Sequence, residues 1–117
     1  MESDTAIQAL SALAHPSRLE IFRLLVRAGA EGMAAGEIAR ATGALPNTLS
    51  TNLGILAAAG LAASRREGRS IIYTAGYDQM RGLLAFLMED CCAGKPEICA
   101  PLAEAAGRAC AAEGSRC

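Results

Sequence analysis

The sequence predicts a mainly α-helical domain with a β-hairpin wing, a winged helix-turn-helix, assembled as a homodimer. Three features carry this reading. Residues 35–59, centred on GEIARATGALPNTLSTNLGILAAAG, read as two short helices joined by a tight turn. The stretch LAASRREGRSIIYTA, beginning at Leu61, reads as strand, glycine-containing turn and strand. Apolar stripes at helical spacing around Ile7 and around Leu84 leave more hydrophobic surface than one small chain covers.

In the helical pair, Ala35, Ile38, Ala39 and Thr42 fall at the i, i+3, i+4, i+7 spacing of one buried face. Gly43 ends the first helix, being free to take positive φ just past its last turn. Pro46 suits the first turn of the next helix, where a missing N–H is harmless. Leu49, Leu53 and Leu56 hold that helix on the core. Asn47, Thr48, Ser50, Thr51 and Asn52 are expected on its opposite face. A front of small hydrogen-bonding side chains suits a DNA major groove, where they reach base edges and phosphates. An ordinary solvated helix in a bundle shares this outline; the turn and the packing pattern favour DNA reading.

Ahead of the pair, residues 5–14 form a short amphipathic helix with Ile7, Leu10, Leu13 and Ala14 on one side. His15-Pro16 breaks it, because the residue before a proline is pushed out of the α region. Pro16 then starts a second helix, with Leu19, Phe22, Leu25 and Val26 inward and Arg18, Arg23 and Arg27 outward. Gly29 and Gly32 close it. His15 is expected to hydrogen-bond a nearby backbone group rather than to act as a ligand or switch.

Beyond the pair, Arg65, Arg66 and Arg69 cluster in the hairpin. Following a candidate reading helix, they suit contacts to phosphates or the minor groove. Residues 77–90 form the last long helix, striped by Met80, Leu83, Leu84 and Leu87. With Ile7 and Leu10 of the first helix, this stripe is expected to make a two-fold dimer surface. A dimer sets two reading helices about one DNA turn apart, roughly 34 Å, on a pseudo-palindrome. From Cys91 onward Gly94, Pro96 and Pro101 interrupt the chain. Residues 1–90 are therefore read as the DNA-binding and dimerisation domain and 91–117 as a partly flexible cysteine-containing tail.

The composition agrees. The 117 residues make one domain's worth of chain, and with 3% aromatics the core must come from Leu, Ile, Ala and Met. A net charge of −1 argues against indiscriminate nucleic-acid binding and fits a sequence-specific binder that must let go. No apolar run approaches the roughly 18–20 residues that span a bilayer. The acidic N-terminus lacks the basic region of a signal peptide, so a cytoplasmic protein is expected. All five cysteines lie at or beyond residue 91, where a disulfide framework would spread them through the fold.

Taken in order, LAHPSRLEIFRLL, GEIARATGALPNTLSTNLGILAAAGL and SRREGRSIIYTA resemble the ArsR/SmtB family of bacterial metal-responsive repressors. The resemblance covers nearly the whole chain to residue 90. It implies a homodimer that represses its operon on double-stranded operator DNA and leaves when an inducer binds, with no resident cofactor. Family members often carry His where this chain has Asn52. Founding arsenic sensors of the family hold a Cys-x-Cys cluster on the first helix of the reading pair, where this chain has GEIARATG and no cysteine. Zinc and cobalt sensors use Asp, His and Glu on the last helix; this one offers Asp78, Glu89 and Asp90 but no His.

What remains is Cys91-Cys92 at the end of the last helix and Cys99 past AGKPEI. Thiolates select soft ions, and trivalent arsenic takes three in a pyramid. The tail resembles a subset of arsenic repressors whose site lies there, implying Cys91, Cys92 and Cys99 as ligands. Cys110 and Cys117 join, replace Cys99 or stand by. Antimonite and methylated trivalent arsenic are close variants of the inducer. The same cysteines also suit thiol oxidation or persulfide formation as the signal. An enzyme is not expected: there is no Cys-x-x-Cys opening a helix and no phosphate-cradling loop.

Overall fold

The structure, a computed structural model, describes residues 1–89, 97, 100–102 and 104–105. In chain order it contains α1 (Ser3–Leu13), α2 (Pro16–Ala28), a 3-10 turn (Gly29–Glu31), β1 (Met33–Ala34), α3 (Ala35–Thr42), α4 (Pro46–Ala58), β2 (Ala62–Glu67), β3 (Ser70–Ala75) and α5 (Tyr77–Leu87). The chain divides into two units, Met1–Leu83 and Leu84–Cys117; the core and sheet described here belong to the first.

Helix ends fall where local chemistry puts them. His15 Nδ1 accepts from the Ser17 N–H at 3.2 Å, and Pro16 takes the first position of α2. The histidine is thus a helix cap, as the sequence suggests. Gly43 closes α3 in the left-handed region at φ 72°, and Pro46 opens α4. At the start of α3, Glu37 accepts from the Ala34 N–H at 3.0 Å.

The core is aliphatic. Ile21, Leu25, Ile38, Leu56 and Leu61 are fully buried, and Phe22, Leu49 and Leu53 join them. Burying each such side chain contributes about 1.5–3 kcal/mol. Two inward placements change. Leu19 is exposed and Val26 half-buried, while Ile21 takes the core position, so the stripe of α2 is rolled by part of a turn from the expected one. In α1 the buried residues are Ala6, Ala9 and Ala12, small enough to bring that helix close, and Ile7 and Leu10 point outward. Among the residues read as dimer contacts, Leu83 is instead buried within the first unit and Met80 is half-buried. Leu84 and Leu87 are exposed.

The expected hairpin is present, with Glu67 paired to Ser70 across a tip containing Gly68 at φ 61°. A third strand was not legible beforehand. β1 pairs antiparallel with the other edge of β3, Met33 opposite Tyr73 and Ala34 opposite Ile72, giving the order β1-β3-β2. A strand of two residues has no periodicity to read; Gly32, at φ 73°, turns the chain onto the sheet edge. Tyr77 ties the start of α5 to the end of α2, its hydroxyl donating to the Val26 carbonyl at 2.9 Å.

Candidate nucleic-acid interface

α4 exposes Asn47, Thr48, Ser50 and Thr51 while burying Leu49, Leu53 and Leu56. Thr51 Oγ1 donates to the Asn47 carbonyl at 3.0 Å, leaving its acceptor lone pairs and methyl group outward. Pro46 and Leu45 extend this surface at the helix start. The front face therefore offers donors, acceptors and methyls without a formal charge, the mixture that discriminates base edges.

Asn52 is not part of that front. It is only 5% exposed, and its Oδ1 accepts from Arg18 Nη1 at 3.5 Å. The spacing contains the signal for this placement: positions 49, 52, 53 and 56 form a single i, i+3, i+4, i+7 stripe. Arg18 likewise falls on the stripe 18, 21, 22 and 25 and is half-buried rather than turned to solvent.

The wing separates its arginines. Arg65 is committed to its own protein: Nε bonds Glu67 Oε2 at 2.7 Å, Nη2 donates to the Glu31 carbonyl at 2.8 Å and Nη1 to the Ala30 carbonyl at 3.3 Å. It braces β2 against the 3-10 turn. Arg66 and Arg69 are exposed on the hairpin, available to an anionic partner. Three of its five N–H donors are engaged within the protein, so Arg65 is held in place more firmly than the other two wing arginines.

Residues 13–65 match the helix-turn-helix domain family. The chain is 31% identical over 90 residues to the HTH-type transcriptional regulator YgaV of Escherichia coli K12, covering 77% of this chain and 89% of that protein. It also resembles the solution structure of the homodimeric winged helix-turn-helix DNA-binding domain of Mb0332 from Mycobacterium bovis, a possible ArsR-family transcriptional regulator. That likeness has TM-score 0.61 at 34% identity, over 73% of this chain and 77% of that one. The chain belongs to the ArsR family of transcriptional regulators. Another relative is the nodulation protein NolR of Rhizobium meliloti, 34% identical over 88 residues, 75% of this chain and 70% of that protein.

An ArsR-family chain is a transcriptional regulator with a DNA-binding helix-turn-helix, and its relatives here are regulators rather than catalysts. α3 and α4 are that helix pair and β2–β3 its wing. No described helix is long and apolar enough to cross a membrane. The candidate inducer ligands Cys91, Cys92, Cys99, Cys110 and Cys117 lie outside the described residues, as does Asp90. Among the described residues, no group of three or more His, Cys, Asp or Glu side chains could hold a metal ion. In α5, Asp78 is paired with Arg81.

Proposed function

We propose that this ArsR-family chain is a homodimeric, cytoplasmic repressor that grips double-stranded operator DNA and releases it when trivalent arsenic binds Cys91, Cys92 and a third tail thiol. The donor set carries the reading. Every cysteine lies within residues 91–117, immediately after the last long helix, and the single histidine caps α2. With no histidine in residues 91–117, a set of thiolates there suits a soft, thiophilic trivalent ion. Cys99 is the third ligand of choice. No resident cofactor is required, and residues 1–90 and 91–117 act as reader and sensor.

In this reading Asn47, Thr48, Ser50 and Thr51 meet the major groove and Arg66 and Arg69 the phosphates. Ile7, Leu10, Leu84 and Leu87, all exposed, are covered by a second copy of the chain; the homodimeric state of Mb0332 supports this. Inducer coupling of about 1–3 kcal/mol per site, acting at two sites, suffices to move the dimer off its operator.

The test is a gel-shift titration on an operator selected from a random duplex pool. Under strictly reducing conditions arsenite releases the DNA, while peroxide or persulfide applied without arsenite does not. Release by the oxidants alone, with arsenite inert, makes the tail a redox sensor instead. Loss of the arsenite response with retention of the methylarsenite response in Cys99→Ser identifies the methylated ion as inducer.

Contacts on the reader separate in the same assay. Ser50→Ala or Thr51→Ala weakens binding by about 1–3 kcal/mol at particular base pairs. Arg66→Ala and Arg69→Ala weaken binding to every sequence, each lowering the slope of log affinity against log salt by about 1. Arg65→Ala acts on the fold, lowering stability in a thermal melt by about 1 kcal/mol through its lost carbonyl bonds.

A further inference from the structure

We propose that Arg18 and Asn52 are positioning residues for operator reading: together they fix the roll of α4 about its axis, and so the direction in which Ser50 and Thr51 face. This rests on α4 being the reading helix. Arg18, in the first turn of α2, links three helices. Its Nε donates to the Ala12 carbonyl at 2.6 Å and Nη2 to the Ser11 carbonyl at 3.5 Å, both in the last turn of α1, which has no basic residue of its own. Terminal helix carbonyls carry partial negative charge and favour a cation there. The same planar guanidinium places Nη1 on Asn52 Oδ1. A fork already seated on one helix presents its remaining donors in fixed directions.

Asn52 is the one buried polar side chain among the described residues, set between Leu49, Leu53 and Leu56. Its Nδ2 has no partner there. An amide half-satisfied in a leucine stripe opposes stability. What it supplies is direction. Apolar packing is non-directional and tolerates small rolls of a helix, whereas a hydrogen bond to an anchored guanidinium does not. α4 needs this, because a cleft of about 310 Å³ runs between it, α3 and β3, bordered by Ala39, Pro46, Ile71 and Tyr73. Packing on that flank leaves its roll under-determined. Amide inversion at Asn52 offers no alternative, since it would face donor to donor at Arg18.

The experiment compares full-length wild type, Asn52→Leu and Asn52→Asp on the selected operator and on a scrambled duplex. Asn52→Leu melts at or above the wild-type temperature, yet its operator-to-scrambled affinity ratio falls about tenfold, the size of one lost base contact. Asn52→Asp accepts from the same guanidinium and keeps the ratio within about twofold. Without DNA, amide resonances of residues 47–51 are single in wild type and Asn52→Asp but broadened or doubled in Asn52→Leu. A wild-type ratio with single resonances in Asn52→Leu overturns the proposal. So does an equal loss in both variants, which would make Asn52 a base contact in its own right. Should wild type prefer no duplex over a scrambled one, the reading role of α4 fails, and the resonances alone decide the positioning.

Discussion

Cys91→Ser and Cys92→Ser proteins are expected to bind operator DNA within about twofold of wild type, because no reader residue is touched, while arsenite releases them only at concentrations raised by about 100-fold or more. The asymmetry follows from donor chemistry. A thiol gives up its proton to a soft ion near neutral pH, and the resulting thiolate is a soft, polarisable ligand. A serine hydroxyl keeps its proton and is hard. One substitution therefore leaves two sulfurs where a trivalent pyramid takes three. Cys99→Ser is expected to follow the pair; Cys110→Ser and Cys117→Ser are expected to respond to arsenite as wild type does. Measuring release midpoints for the five single mutants on one operator fragment assigns the ligands directly. If Cys91→Ser and Cys92→Ser lose DNA binding itself, the sensor assignment is wrong.

A large loss of stability is expected from Gly32→Ala, and Gly29→Ala isolates its cause. Both glycines sit at φ 73° with ψ near −160°, a region essentially closed to side chains. For Gly29 the added Cβ meets nothing within 4 Å, so only backbone strain of about 1–3 kcal/mol enters. For Gly32 the same Cβ comes 2.4 Å from the Tyr73 carbonyl oxygen. That oxygen is backbone of β3, in the pairing that holds β1, and cannot swing away as a side-chain tip would. The clash adds about 1–3 kcal/mol. At roughly 4–8 °C per kcal/mol for a domain of this size, Gly32→Ala melts roughly 5–20 °C below Gly29→Ala. Equal melting temperatures would show that the sheet edge is not held at this point. Because β1 secures the wing's far strand, Gly32→Ala is also expected to weaken DNA binding at temperatures where the protein remains folded.

The cysteine pair and Gly32 differ in how much of their role is local to the sequence. The Cys pair is a matter of donor type and needs no fold to be recognised. Gly32 reads from the sequence as a chain stop, but its closeness to Tyr73 depends on a pairing between segments some forty residues apart in sequence. Local rules say that the chain turns there. They do not say what it turns against.

The sequence by itself determined where the helices of the reader begin and end, the leucine back of α4 and the hairpin after it. These follow from backbone freedom at Gly43, the fixed φ of Pro46 and a 3.6-residue period, all local properties. Only the tertiary structure decided which partners the inward polar groups hold. Asn52 falls in the leucine stripe by its spacing, but its partner Arg18 comes from another helix, and Arg65 is engaged because the 3-10 turn offers two carbonyls. The alanine face of α1 and the burial of Leu83 are of the same kind. A charge or an amide announces its hydrogen-bonding capacity in the sequence, but its partner is chosen by elements distant along the chain.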